Sequence, residues 1–564
     1  MILEEIYNLI SKTENARIVF TKDLSGNNSL KKYERVISIE TELSLNEGLK
    51  IVHLYIALTE PYSVNLPKIF IDDKSYEQIK YLPHVNHDLS ICIIDENENF
   101  NYDIKHIPNL VLNLISDAKK ILRGKDDKDY LREEFEREFT AYWNINYSEK
   151  NELREIGLCL VDFENLNNIK AVKFLNRLGQ YQYLVYNVEC KFNLFKNYIK
   201  LRGIKFDEIE IFFAEYTNVN PPFKINYKDS LKYLTDKDTF REKINKFSGD
   251  KFIVVFKGSQ KELFGWTYSF TNKKAKGYRQ LSNWQFLNSA LSSNNFVDRL
   301  YFSDISPKRL DTRTAGDEIV RNLKLAVIGV GSVGSNLLHY LMKYPVSKYC
   351  LIDSDILKVE NVYRNYFGFN FISRFKTKIS EYEILSKNPF TKVITNEKDI
   401  CEVLSQNPEF IEDYDFRFLI LGVTRIEKYI IQHLISIKSD KPIFVLWVEP
   451  YLASGQMIYL LPKDFQKGID LLENYPYHVI KKGQQLLKKE GSCQTGYMPY
   501  SDINLSLFLS AINPIIYSIL NENKNDKSQI FGWIGNLDQI KSTSIEITDN
   551  YKSTNNFTLL EHEL

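Results

Sequence analysis

Cysteine is scarce in this chain, six in 564 residues, and no two of them form a Cys-x-x-Cys pair. That excludes a disulfide framework and a zinc site of the usual spacing. An excess of one charge is lacking too: 73 basic residues balance 73 acidic ones, so the formal net charge is zero. Nothing in that balance supports a nucleic-acid-binding surface, and no direct nucleic-acid contact is expected. No stretch reads as the roughly 20 apolar residues of a membrane span. The start, Met1-Ile2-Leu3-Glu4-Glu5, lacks the basic residues and apolar run of a signal peptide. The expectation is a cytoplasmic protein with no membrane partner. Internal repeats and long low-complexity segments are also missing.

What is present is a chain too long for one hydrophobic core, with 44% hydrophobic and 26% charged residues, so several domains are expected. Three regions separate. Residues 1–150 open with an amphipathic helix over 2–11, continue with β-rich runs at 33–40, 49–58 and 68–71, pass through an irregular stretch at 82–92, and end in helical patterns near 107–122 and 129–143. That order describes an α+β domain. Residues 151–305 mix strand-like runs (157–163, 181–192, 208–213, 252–256) with polar helices, and read as an α/β linker or scaffold domain. Residues 306–564 alternate strand and helix. Runs at 325–328, 349–352, 393–395, 416–421 and 442–448 read as the buried strands of a doubly wound, Rossmann-like parallel sheet. An edge strand at 456–461 and an apolar helix at 505–520 are expected after it.

The first of those strands runs into Gly329-Val330-Gly331-Ser332-Val333-Gly334, and a helix follows. Gly329, Gly331 and Gly334 permit a tight turn and let a phosphate approach backbone N–H groups at the helix N-terminus. Asp353 ends the next strand, at the distance usual for an acid that binds a ribose. This much specifies a nucleotide and no reaction.

Further residues narrow the reading: Asp353-Ser354-Asp355, then Glu360-Asn361-Val362-Tyr363-Arg364-Asn365, then Lys376, then Asn388-Pro389. The set resembles the ThiF-type ATP-binding domain of the ubiquitin-activating enzyme superfamily. The resemblance implies that Asp353 and Asp355 lie at the nucleotide, with Asp353 on the ribose, and that Asn361, Arg364 and Lys376 hold the triphosphate of ATP. Attack of a carboxylate on the α-phosphate builds negative charge that Arg364 and Lys376 neutralise as pyrophosphate leaves. Lys378 lies close enough in sequence to replace Lys376. The family also implies Mg2+, held by an Asp after the fourth strand, but that place reads Gly422-Val423-Thr424-Arg425-Ile426-Glu427. Either Glu427 substitutes or the metal is held otherwise. Arg309 and Arg313 precede the sheet, where family members often carry an arginine that reaches a nucleotide; a solvated helix face is the other reading.

Cys159, Cys190 and Cys350 lie in apolar, strand-like runs and read as core residues, while Cys401 has no evident role. Cys493 and Cys92 lie in loop-like segments with polar neighbours, where a reactive thiol belongs. Cys493 stands beyond the sheet, where thioester-forming activating enzymes keep their cysteine. Cys92 follows His84-Val85-Asn86, which is similar to the His-Pro-Asn triplet ahead of the cysteine in ubiquitin-conjugating enzymes, with a shorter gap. Asn86 is placed to donate to an oxyanion, or His84 to brace the loop. Aromatic residues at 135, 139, 142 and 143 follow helical spacing and are expected to pack on the first domain.

A conjugating-like domain ahead of an activating-like domain resembles the fusion enzyme of bacterial CBASS anti-phage operons. That resemblance implies activation of the C-terminal carboxylate of a cyclic-oligonucleotide synthase, a thioester on Cys493, transfer to Cys92, attack by a target amine, and a homodimer through the activating domain. Three rival readings stand beside it: conjugation of a bacterial ubiquitin-like protein, sulfur-carrier adenylation, and a scaffold whose nucleotide loop has degenerated.

Overall fold

The structure, a computed structural model, describes residues 2–564 apart from 25–27, 63, 87, 95–102, 145–154, 177, 215–224, 235, 259–260, 271–280, 316–321, 345, 485, 487, 490–495, 498 and 523–525. Three sheets, each from its own stretch of chain, organise it. The first is an antiparallel meander of Asn15–Phe20 (β1), Arg35–Leu45 (β2), Gly48–Ala57 (β3), Lys68–Ile71 (β4) and Ser90–Ile91 (β5), in that spatial order. Along β2, Ile39, Thr41, Leu43 and Leu45 turn inward while Glu40, Glu42 and Ser44 turn outward, the period of two that a one-sided sheet requires. The helix Ile107–Arg123 buries Ile107, Val111, Leu114, Ile115, Ala118 and Leu122 along one stripe. Together with Leu3, Ile6 and Ile10 of the helix Ile2–Ile10, that stripe covers the inner face. Each such aliphatic side chain contributes about 1.5–3 kcal/mol by leaving water.

The second sheet contains Ile156–Leu160 (β6), Lys170–Leu175 (β7), Tyr181–Tyr186 (β8), Phe206–Ile209 (β9), Ile211–Ala214 (β10), Lys251–Lys257 (β11), Leu263–Ser269 (β12) and Asp298–Asp304 (β13), ordered β10-β11-β12-β13-β6-β8-β7-β9. The strand expected over 181–192 stops at Tyr186, and the helix Glu189–Leu201 begins, burying Phe192, Phe195 and Ile199 at helical spacing. Cys190, in the first turn of that helix, is exposed and does not belong to the core, unlike Cys159 and Cys350.

This sheet touches both neighbours. The helix expected through 129–143 is two helices, Lys128–Arg137 and Phe139–Asn144, hinged at Glu138. Phe135 stays with the first domain's site, edge-on to Tyr142 at 5.7 Å between ring centroids. Phe139 and Trp143 pack instead onto the second sheet, Phe139 lying 4.8 Å from Phe264 and Trp143 5.2 Å from Phe256, and the Trp143 indole N–H donates to the Leu300 carbonyl at 2.9 Å. On the other side, Phe195 stacks on Phe390, and Arg202 donates to the Tyr382 hydroxyl at 2.6 Å.

The third sheet holds Leu323–Ile328 (β14), Val346–Ile352 (β15), Lys392–Asn396 (β16), Phe416–Leu419 (β17), Ile443–Val448 (β18) and Ser454–Leu460 (β19). After a separate antiparallel pair, Lys488–Lys489 (β20) with Gly496–Tyr497 (β21), it is completed by Gln529–Ile534 (β22) and Leu559–Glu563 (β23). The order β16-β15-β14-β17-β18-β19-β22-β23 is parallel as far as β18 and antiparallel beyond. β19 is therefore an interior strand and not the edge expected from the sequence. Apolar clusters cover both faces, as a doubly wound sheet demands. Among the described residues one helix, Asp502–Glu522, is long and apolar enough over Asp502–Asn521 to cross a membrane by length and composition, with a mean hydropathy of 1.7, contrary to the sequence expectation. Its residues Leu505, Phe508, Leu509, Ile512 and Ile516 are buried against this sheet.

Candidate active sites

The chain order of the third sheet reverses between β14 and β17, the point at which such sheets bind ligands beyond their strand C-termini. The glycine loop leaves β14 there. Gly329 has φ +93° and donates its N–H to Ile352; a Cβ on it would meet the Ile420 carbonyl at 2.5 Å. A Cβ on Gly334 would collide with the Gly329 carbonyl. The fold itself requires these two glycines. Gly331 differs, because a Cβ there would meet no protein atom within 4 Å. Its bareness serves the face on which a ligand approaches, and the helix Ser332–Leu341 starts from it with no side-chain cap. The loop fits a nucleotide phosphate.

Asp353 fixes the loop from the side. Its carboxylate accepts the Val330 N–H at 2.7 Å and the Asp355 N–H at 2.8 Å. Burial raises its pKa, while Lys376 and the two backbone donors oppose the rise. Asn361 holds the turn after Lys358, taking the Lys358 N–H on its side-chain oxygen at 3.3 Å. The segment around Arg364 is tied to the glycine-loop helix. The Arg364 carbonyl accepts from the Ser332 hydroxyl and from Asn336 Nδ2 at 3.2 Å, and the Tyr366 N–H donates to Ser335 Oγ at 3.2 Å. Lys376 is 6% exposed and pairs with Asp355 at 2.7 Å. Lys378 is half-exposed and pairs with Glu381 at 3.1 Å, turned to a different set of partners.

Glu427 does not fit the part of a magnesium ligand. It is 2% exposed, and its Oε1 accepts the N–H of Gly422 at 2.9 Å, where φ is +62°. Burial pushes its carboxyl up to about 7 despite those backbone donors. It clamps the turn after β17. Arg309 donates to the Asp304 carbonyl at 2.6 Å, at the end of β13, and Arg313 is exposed on the helix Pro307–Ala315. Cys493 lies outside the described residues. The described chain on either side of it pairs Lys489 with Gly496, and Lys488 with Tyr497.

In the first domain Cys92 is exposed, directly after β5. Its N–H donates to the His84 carbonyl at 2.7 Å. His84 has φ +62°, a conformation that a side-chain-bearing residue holds only when its surroundings impose it. Here they do. The His84 N–H faces the Tyr142 hydroxyl at 2.9 Å and Glu138 at 3.3 Å, Nδ1 pairs with Glu138 at 2.8 Å, and Nε2 pairs with Glu134 at 3.1 Å. Asp127 caps the helix Lys128–Arg137 by accepting the Asp129 and Tyr130 N–H groups, which sets the register that brings Glu134 and Glu138, four residues apart, to one face. The hydrogen bond to Glu138 raises the His84 pKa against the opposing effect of burial. For Glu138 burial favours the neutral form, but His84 and Tyr142 together hold its carboxyl below the ordinary value. The three ligand atoms are close enough for a cation. However, the two carboxylates meet opposite edges of the ring, the geometry of a clamped imidazolium. Asn86 is exposed and donates its side-chain amide to Ser90 Oγ at 3.0 Å, bracing the same loop.

The family model of prokaryotic E2 family B matches residues 16–152, and that of the ThiF family matches residues 306–449. The chain joins an E2-like domain to a ThiF domain. Comparison with curated proteins gives no match. Solved structures to which this chain is similar include SeMet PaaA, at 15% identity and a TM-score of 0.30 over 43% of this chain and 64% of that one. They also include E. coli MccB with MccA-N7isoASN, at 14% and 0.29 over 40% and 63%, and TcdA (CsdL), at 14% and 0.28 over 38% and 96%. The fusion thus spans less than two thirds of PaaA and of MccB.

Proposed function

We propose that the ThiF domain adenylates the C-terminal carboxylate of a protein with ATP, and that the E2-like domain then conjugates that protein to an amine. The observation that carries this reading is the stitching of Arg364 to the glycine-loop helix. It ties the backbone that carries Arg364 to the first turn of the helix whose N–H groups would cradle the phosphates. In the first step a carboxylate oxygen bonds to the α-phosphorus and pyrophosphate leaves, its charge met by Arg364 and Lys376. The Cys493 thiolate then attacks the acyl carbon and AMP departs. The Cys92 thiolate displaces Cys493 by thioester exchange, and a target amine displaces Cys92 to leave an amide. Asp353 takes the ribose, with Asp355 and Asn361 shaping the site. The resemblance to CBASS fusion enzymes makes a cyclic-oligonucleotide synthase the favoured carboxylate, and a homodimer belongs to the same reading.

The test is ATP–pyrophosphate exchange with purified full-length chain, supplied in turn with a cyclic-oligonucleotide synthase and with that synthase lacking its last residues. Exchange that depends on the intact C-terminus supports the reading. Exchange with neither, but with a ubiquitin-like protein, would transfer it to that substrate. No exchange with any protein carboxylate would leave the degenerate scaffold.

A further inference from the structure

A cavity of about 440 Å³, partly open to solvent, lies where the region of the second sheet meets that of the third. Its volume falls within the roughly 300–1,000 Å³ of small-molecule sites, which favour domain junctions and mostly apolar walls with a few polar groups. The walls here are of that kind. Leu158 of β6, Phe174 of β7, and Phe195 and Ile199 of the helix Glu189–Leu201 surround the space together with Ile305 and Phe390. Phe195 and Phe390 stack with ring centroids 5.9 Å apart, so both sides of the junction contribute aromatic surface. Among the described residues a single charged side chain, Arg202, joins this lining. It is half-buried and directly follows the helix Glu189–Leu201 as its C-cap.

The guanidinium of Arg202 is fixed on one edge and unengaged on the other. Nη1 donates to the Tyr382 hydroxyl at 2.6 Å and to Ser386 Oγ at 3.2 Å, and Cζ lies 5.0 Å from the Tyr382 ring centroid and 5.9 Å from that of Tyr198. The remaining edge, Nε–H beside Nη2, is one on which a guanidinium grips a carboxylate by two parallel hydrogen bonds. On that edge Nε is buried and has no hydrogen-bond partner among the described residues. Glu383 feels the charge of Arg202, which opposes the rise that burial imposes on its carboxyl, but no ion pair joins the two. A buried donor without an acceptor has given up water for nothing, so an acceptor brought in by a ligand is favoured there. Because the plane is already held, little rotational freedom is lost when it binds.

We propose that this cavity binds a small monocarboxylate with an apolar body, the carboxylate paired with Nε–H and Nη2 of Arg202 and the body packed among Phe174, Phe195 and Phe390. One cation among apolar walls calls for one negative charge on an apolar molecule. The site is independent of the adenylation reading, and either stands without the other. Calorimetric titration of the full chain with octanoate, octanol and octylamine tests it. Octanoate binds once per chain, while octanol and octylamine bind roughly tenfold more weakly or not at all. Arg202→Met keeps an apolar stem and removes the charge, so it lowers octanoate affinity roughly tenfold, to the level of octanol. Leu158→Trp narrows the cavity and leaves Arg202 in place; it weakens octanoate as well. Octylamine or octanol binding as tightly as octanoate would overturn the proposal, and so would undiminished octanoate affinity in either variant. Octanoate taken up at many equivalent sites, or not at all, would overturn it too. Where the thermal midpoint shows that a variant fails to fold, the other variant and the three-ligand series on the wild type decide by the same criteria. A chain that binds octanoate in this way but exchanges no pyrophosphate keeps this site and loses the adenylation reading.

Discussion

Around Cys92 the imidazole of His84 is enclosed on both ring nitrogens by Glu134 and Glu138. Around the glycine loop, Arg364 lies over the Tyr500 ring, 5.8 Å from Cζ to the centroid, and its carbonyl accepts from the Ser332 hydroxyl. His84 is thus closed in by two carboxylates, while in the ThiF domain Lys376 takes one carboxylate, Asp355, and Arg364 is tied through its own backbone to the glycine-loop helix. The difference teaches what each site is built for. Closed charge pairs fix backbone geometry, so the Cys92 segment is held ready without waiting for a ligand. A lysine paired with one carboxylate and an arginine tied through its backbone suit the proposed adenylation site, where an incoming anion calls for cations. On the proposed function, chemistry at the first site resides in the thiol, and at the second in the surrounding electrostatics.

The sharpest way to break this contrast is to remove each site's agent in turn. Cys92→Ala leaves ATP–pyrophosphate exchange unchanged and abolishes the amide conjugate, read by mass spectrometry of the synthase. Cys493→Ala likewise retains exchange and loses the thioester; conjugation that survives it would refute the two-thiol relay. Arg364→Ala acts in the opposite direction, lowering exchange by about 10²–10³-fold, the scale seen when a donor to developing charge is lost. If Arg364→Ala spared exchange while Cys92→Ala reduced it, the division of labour drawn above would be wrong.

Next in size is the clamp itself. The raised pKa of His84 means that its contribution to stability is complete below the ordinary value of 6.5 and is lost as pH rises through the raised value. The lowered pKa of Glu138 gives a contribution present above 4.5 and lost as pH falls through the lowered value. His84→Gln should therefore cost most at about pH 5–6, roughly 1–3 kcal/mol for a partly buried pair, and least near pH 9. Thermal denaturation across that range, with Cys92 alkylation rates as a local readout, checks it. A penalty that does not change with pH would show that His84 holds the loop through packing alone.

How much of this was legible beforehand differs between the two sites for a physical reason. The glycine loop, Asp353 and the buried strands follow local rules, since a turn needs glycine and a buried parallel strand needs an apolar run, while Arg364 was named through the resemblance to the ThiF family. The clamp is non-local. His84 was noted with Cys92, yet its partners stand at sequence separations of 50 and 54, and only their own spacing of four on a helix hinted at a shared face. The same limit concealed β12 and β13, which are stabilised by pairing with each other and with distant strands. It also led Cys190 to be read as core, because the aromatic run that extends β8 continues with helical spacing past Val188.

The smallest predicted effect sits in the ThiF domain and probes a buried acidic group there, closed in as those of the clamp are. Glu427 is raised to about 7 by burial. A group with a raised folded pKa contributes stability below its unfolded value, here 4.5, and that contribution is lost as pH climbs through about 7. Glu427→Gln mimics the neutral form and leaves an amide oxygen for the Gly422 N–H, so it should flatten that part of the stability profile. It should also change the magnesium concentration for half-maximal exchange by less than about twofold, because a carboxylate directed at its own backbone has little to offer a hydrated cation. A tenfold or larger rise in that requirement, roughly 1.4 kcal/mol, would make Glu427 a metal ligand. The ThiF site would then depend on an acid that leaves its clamp when ATP arrives, and the contrast with the Cys92 site would be one of timing and not of design.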